Sequence, residues 1–214
     1  MARSDPEIIA ALGEQLEAWR ASLRGGALRV GWKIGLNVPD VQRELGLYES
    51  VIGNLTSASQ LQDGFTFSQG DAADLRIEPE VALHIGAGGS VAAYGAAIEI
   101  VDPGSPPPAA AGIVAANIFH RAFLLGPPRP ALPPEGATAE VRVGGESRAS
   151  GEAPEDFAGV VELVARQLDD AGERLEEGDV IIAGSLTPPQ PVQAGDEVEV
   201  ELSGLGTLSV SIAG

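Results

Sequence analysis

Residues 75 to 85 alternate almost without fault: Leu75, Ile77, Pro79, Val81, Leu83 and Ile85 take the odd positions, and Arg76, Glu78, Glu80, Ala82 and His84 the even ones. Side chains alternate across a strand, so the pattern predicts one apolar face and one face carrying two carboxylates about 6–7 Å apart. Such a pair can converge on one cation, or it can form a solvated acidic face. Glu99 adds a second observation, because it interrupts Ala96-Ala97-Ile98-Glu99-Ile100-Val101, whose other members prefer the interior. An isolated carboxylate in such a run must be protonated, paired with a cation or bound to a metal ion. Three carboxylates with no thiol describe a hard-cation site suited to Mg2+ or Mn2+. Arg76, one even position before Glu78, offers the competing explanation of an internal ion pair.

Twelve of the thirteen basic residues are arginine, and the only lysine is Lys33, inside Val30-Gly31-Trp32-Lys33-Ile34-Gly35. Burial can move a lysine towards neutrality, which suits proton transfer, whereas a guanidinium stays charged. Lys33 is therefore the candidate catalytic group. Two histidines, His84 and His120, are candidates for acid–base work or for bonding a ligand from behind, since imidazole titrates near neutrality.

Several elements must position these residues. Residues 4–24 predict an amphipathic helix, with Ser4 or Asp5 as cap, Pro6 in the first turn, and Ile8, Leu12, Leu16, Trp19 and Leu23 along one stripe. A second helix is expected over 155–171, where Phe157, Val160, Val161, Val164 and Leu168 align and Gly172 stops the run. The rest reads as β-structure: a hairpin around Gly144-Gly145, strands over 180–183 and 198–202, and a last strand over 207–212. Proline-rich stretches at 103–108 and 127–134 interrupt the middle of the chain but are too short to be an interdomain linker. A single catalytic domain spanning 1–214 is expected.

A formal charge of −18, from 31 acidic against 13 basic residues, repels nucleic acid and anionic membrane surfaces, so neither is an expected partner. No run of eighteen apolar residues and no signal-like N-terminus is present, and the chain reads as soluble and cytoplasmic. Without cysteine, any metal must be held by oxygen or imidazole.

Four ordered segments, Gly31-Trp32-Lys33-Ile34-Gly35-Leu36, Ile77-Glu78-Pro79-Glu80-Val81-Ala82, Ala97-Ile98-Glu99-Ile100-Val101-Asp102 and Gly184-Ser185-Leu186-Thr187, resemble the 2-keto-4-pentenoate hydratase and 4-oxalocrotonate decarboxylase group of the fumarylacetoacetate hydrolase superfamily. The resemblance implies an α+β fold whose mixed β-sheet forms a partly open barrel or roll with flanking helices. It also implies a homo-oligomer and a setting in aromatic catabolism. At the site it implies Mg2+ or Mn2+ on Glu78, Glu80 and Glu99, Lys33 near a small 2-oxo acid, and lyase chemistry through a metal-stabilised enolate. Asn117, Ser185, Thr187 and Arg76 are candidate substrate-binding residues. Val51 and Ala116 stand where the group usually carries acids, and Gly86-Ala87-Gly88-Gly89 replaces a longer helical insertion. These departures keep two alternatives open: an acylpyruvate-type C–C hydrolase, and a non-catalytic or biosynthetically repurposed relative that binds metal and 2-oxo acid.

Overall fold

The computed structural model of the chain describes residues 5–105, 109–130, 136–153 and 156–214. Its strands are β1 (Arg29–Gly35), β2 (Val51–Thr56), β3 (Gln60–Leu61), β4 (Phe65–Ser68), β5 (Arg76–Ile85), β6 (Val91–Val101), β7 (His120–Leu125), β8 (Thr138–Val143), β9 (Glu146–Glu152), β10 (Val180–Ile182), β11 (Gln190–Pro191), β12 (Glu197–Leu202) and β13 (Gly206–Ala213). The helices are α1 (Pro6–Arg24), α2 (Pro39–Leu45), α3 (Ala110–Ala115) and α4 (Phe157–Asp170). One mixed sheet runs β2-β1-β10-β5-β6-β7-β3, with β11 added beside β5. A second sheet runs β4-β13-β12-β8-β9. This is the expected α+β class, and buried side chains of both sheets, such as Ile77, Ile98, Val141 and Leu208, belong to one continuous core with α1 and α4.

The expected elements are found with modest shifts at their ends. Asp5 caps α1, its Oδ1 accepting the Glu7 N–H at 2.9 Å, and the alternative cap Ser4 lies outside the described residues. The second helix starts at Phe157 after Asp156, whose Oδ1 accepts the Gly159 N–H at 2.8 Å; residue 155 and parts of both proline-rich stretches also lie outside the described residues. Gly86-Ala87-Gly88-Gly89 makes a single tight turn between β5 and β6.

The strand that carries Lys33, β1, is fixed from several sides. Trp19 of α1 packs on Trp32 of β1, with ring centroids 5.2 Å apart, and the Arg29 guanidinium lies 5.5 and 5.3 Å from the two rings. Arg29 and Trp32 both donate to Asp179, at 2.6 and 3.0 Å, which ties β1 to the turn before β10. Gln15 does the same for α1, donating to Val114 O at 2.6 Å and Ile52 O at 3.3 Å. At Gly31 a register shift lets β1 approach β10 closely; the residue has φ 153°, and a Cβ there would overlap the Val180 carbonyl and sit 2.5 Å from Val180 N. Gly31→Ala is accordingly expected to cost about 3 kcal/mol or more. A urea midpoint equal to that of the parent chain would refute this.

Candidate functional site

In the β5–β6 ladder Glu78 lies directly opposite Glu99, and Glu80 opposite Ala97. Like charges in such a cross-strand pair destabilise a sheet, so their presence on a buried face calls for a counter-charge. Ligand atoms of Glu78, Glu80 and Glu99 all lie within 4.8 Å of one another. Glu80 and Glu99 are fully buried, and Glu78 is half-buried at the floor of a cavity of about 520 Å³.

Each buried carboxylate has one oxygen pinned and one left over. Glu80 Oε2 accepts the Gly184 N–H at 2.7 Å, while its Oε1 has no hydrogen-bond partner among the described residues. Glu99 Oε1 accepts from Lys33 Nζ and bonds His120 Nδ1 at 2.7 Å, while its Oε2 has no partner either. Buried oxygens left without partners are costly, and pinning the opposite oxygen orients each of them. The donor set fits a divalent cation: all-oxygen, anionic and pre-oriented.

Lys33 reaches this cluster from β1, where it registers with Gly53 on β2 and Ile182 on β10. Only glycine fits opposite it: a Cβ on Gly53 would come within 2.9 Å of Lys33 Cγ and 2.6 Å of Asn117 Oδ1. Lys33 Nζ also donates to the Ile118 carbonyl at 3.0 Å. That carbonyl is aimed by an unusual turn in which Asn117, Ile118 and Phe119 all have left-handed φ, at 60°, 52° and 62°. Three such residues in succession carry backbone strain that the surroundings must hold in place. Asn117 does so, accepting from Asn54 N at 2.8 Å and donating to Asn54 O at 3.0 Å.

Three of the candidate residues have partners or positions apart from the carboxylate cluster. Asn117 uses both ends of its amide on the Asn54 backbone and is not among the residues that line the cavity. His84 shares a face with Glu80 but lies four residues along β5, opposite Ala93 and Val180; its buried Nε2 has no hydrogen-bond partner among the described residues, and burial lowers its pKa. It stands apart from the carboxylate cluster. Arg76 does not take the role of an internal counter-ion by direct pairing, since it forks onto Asp74 at 2.7 and 3.0 Å. Ser185 and Thr187 line the cavity, donating to Thr187 O at 2.7 Å and Pro188 O at 3.1 Å. Gly151 supports their loop, since a Cβ there would overlap the Leu186 carbonyl. His120 bonds Ser59 Oγ at 2.9 Å on its far nitrogen, making a Ser59–His120–Glu99 chain. Ser59, the Ile118 carbonyl and the Gly184 N–H are not foreseen from the sequence; of these only Gly184 lies in one of the four family-like segments.

The electrostatics follow from burial and crowding. Burial, and then the Glu99 charge, push the Glu78 carboxyl up to about 7 against the pull of Lys33 and Arg76. Burial, with Glu99 and Glu78, raises Glu80 well above its ordinary range. Burial also opposes ionisation of Glu99, but Lys33 and His120 outweigh it and hold that carboxyl low. A carboxyl raised on folding binds protons more tightly in the folded state, so stability contributed by Glu78 is present below about pH 4.5 and lost as pH rises through about 7, and Glu80 acts in the same direction. The metal-free chain is therefore expected to melt at falling temperature from pH 5 to 8, and excess Mg2+ or Mn2+ to reverse that trend. Melts in chelator and in metal across this range check it; parallel curves would refute it.

The fold and the carboxylate cluster define a class, and the sequence comparisons agree: residues 34–213 match the fumarylacetoacetate (FAA) hydrolase C-terminal family, and the chain belongs to that family. It is 30% identical over 218 residues to 2-keto-4-pentenoate hydratase 1 of Dechloromonas aromatica (strain RCB), covering 91% of this chain and 81% of that one. A shorter match, 35% identical over 86 residues, covers 37% of this chain and 28% of oxaloacetate tautomerase YisK of Bacillus subtilis (strain 168). Among solved structures, 4-oxalocrotonate decarboxylase from Pseudomonas putida G7, complexed with magnesium and adipate, superposes with a TM-score of 0.84 at 22% identity, over 94% of this chain and 84% of that one.

Proposed function

We propose that the chain is a divalent-metal-dependent lyase, of hydratase or decarboxylase type, acting on a 2-oxo or 2-hydroxydienoic acid, with Glu78, Glu80 and Glu99 as metal ligands and Lys33 as catalytic group. The observation that carries this is a set of three carboxylates with oxygens within 4.8 Å of one another, two of them with an oxygen that has no hydrogen-bond partner among the described residues, beside a buried lysine at a cavity floor. The family membership and the hydratase relative support the same reading. Mg2+ or Mn2+ held there supplies a Lewis acid that stabilises negative charge developing on a 2-oxo oxygen.

The protein's own groups do the rest. An ammonium carries three N–H donors, and Lys33 commits two, to Glu99 Oε1 and the Ile118 carbonyl. The third remains for the substrate, and Nζ moves the proton. Ser185 and Thr187 keep oxygens on the cavity wall that can accept hydrogen bonds. The Ser59–His120 chain holds Glu99 from behind. The His120 side chain is only 5% exposed, both its nitrogens are engaged, and it is not among the residues that line the cavity, which favours a role behind Glu99 over one as a base on a ligand.

Residues 1–214 form one catalytic domain on this proposal, supported by the continuous core shared by both sheets. Cytoplasmic location and homo-oligomerisation belong to the proposal as well; among the described residues no helix is long and apolar enough to cross a membrane, and Leu28, Tyr48 and Phe65 are exposed. The test is metal analysis together with ultraviolet absorbance of 2-hydroxypenta-2,4-dienoate and pyruvate release from acylpyruvates, with and without Mg2+. Metal-dependent multiple turnovers are expected on the first. Stabilisation by oxalate without turnover on any 2-oxo acid would make the chain a binding protein instead.

A further inference from the structure

Above its floor the cavity changes character. Leu36, Val38, Val41, Phe119, Leu186 and the Pro188-Pro189 pair supply most of its walls. Val38, at the edge of α2, is 52% exposed, and α2 buries none of its residues. Among the described residues the only cation on the wall is Lys33, at the floor and already engaged. No arginine lines the cavity among the described residues; Arg43 on α2 pairs with Asp40, Arg76 with Asp74, and Arg121 with Asp71. The Ser185 and Thr187 hydroxyl protons are given to carbonyls of their own loop.

A 2-oxo acid head group placed at Glu78 and Lys33 would fill a small part of about 520 Å³, a volume within the range of pockets that enclose much larger ligands. A second carboxylate further out would meet mostly apolar walls with one amide, Asn37, no cation on the wall among the described residues other than Lys33, and the field of a chain carrying −18. An uncharged tail would instead cover wall residues that are otherwise wet.

Resting on the metal-and-2-oxo-acid reading, we infer that the substrate is a monocarboxylic 2-oxo or 2-hydroxydienoic acid with an extended, uncharged alkyl or aryl tail, and that the outer cavity discriminates against a second carboxylate. This narrows the reactions of the site to those a monoacid can undergo, of which hydration is one.

The test measures binding of pyruvate, 2-oxooctanoate and 2-oxoadipate to the full chain in excess Mg2+, by calorimetry, with oxalate as a head-group control. 2-Oxooctanoate is expected to bind at least about tenfold more tightly than pyruvate, given the gain per buried methylene, and 2-oxoadipate no more tightly than pyruvate. Val41→Arg, which places a cation on the wall, is expected to raise the affinity ratio of 2-oxoadipate to 2-oxooctanoate by about tenfold or more. If pyruvate and oxalate bind but 2-oxooctanoate gains nothing, or 2-oxoadipate equals it, the tail proposal is overturned and the metal reading stands. If neither pyruvate nor oxalate binds in the presence of metal, the underlying reading falls, and this inference with it.

Discussion

Replacing Glu80 by Gln is expected to weaken Mn2+ binding by more than about 100-fold and, in the same protein, to raise the stability of the metal-free chain by about 1–2 kcal/mol. The two effects have opposite signs for one reason. Without a cation, Glu80 is a fully buried carboxyl with one oxygen that has no partner among the described residues, and it shares a small volume with Glu78 and Glu99. Burial and those two charges raise its pKa, which states that ionising it is unfavourable in that environment. A glutamine keeps the shape, and its amide oxygen can still accept the Gly184 N–H, while the cost of protonating a buried acid, or of ionising it beside Glu78 and Glu99, is gone. A neutral amide oxygen is a far weaker partner for a hard dication. Titration calorimetry with Mn2+ and melts in chelator read the two quantities separately. Mn2+ affinity like that of the parent chain would remove Glu80 from the metal site. A less stable metal-free variant would mean that the carboxylate is instead a structural partner.

Much of this site is legible in the chain because β-strands preserve a period of two. The alternation over 75–85 places Glu78 and Glu80 on one face, and the structure keeps them there. Glu99 stands out because its neighbours are all apolar. The direct opposition of Glu78 and Glu99 is not legible, because register depends on the turn at residues 86–90 and on the bulge between His84 and Ile85. The same alternation misleads for His84: it assigns a face but carries no distance, and four residues along a strand amount to about 13 Å. Asn117 escapes a sequence reading for a different reason. Nothing in Asn117-Ile118-Phe119 signals a left-handed turn, since no glycine is present and the asparagine alone is a weak cue. The partner that this turn exposes to Lys33 is a backbone carbonyl, which has no signature in a sequence. The helices α2 and α3, at 7 and 6 residues, are too short for a periodic pattern to form.

Lys33→Met should separate catalysis from metal binding. On the proposed mechanism Nζ moves a proton, and loss of a positioned acid–base group lowers kcat by about 10²–10⁴-fold. Lys33 is not an oxygen ligand, and its charge competes with a cation for Glu99, so Mn2+ affinity is expected to hold or to improve. Stability moves the other way in chelator. Removing one member of a buried ion pair leaves Glu99 with His120 alone against its burial, at a cost of about 3–5 kcal/mol. Saturating Mn2+ should recover much of that loss, because the cation replaces the missing charge. Lys33→Arg is expected to be no better than Met for turnover, because a guanidinium does not give up its proton. Absorbance-monitored single turnovers, Mn2+ titrations and melts of both variants measure each quantity. A Lys33→Met protein that turns over within tenfold of the parent would remove Lys33 from the chemistry. One that loses Mn2+ binding along with activity would show that its role is to assemble the carboxylates and not to move the proton.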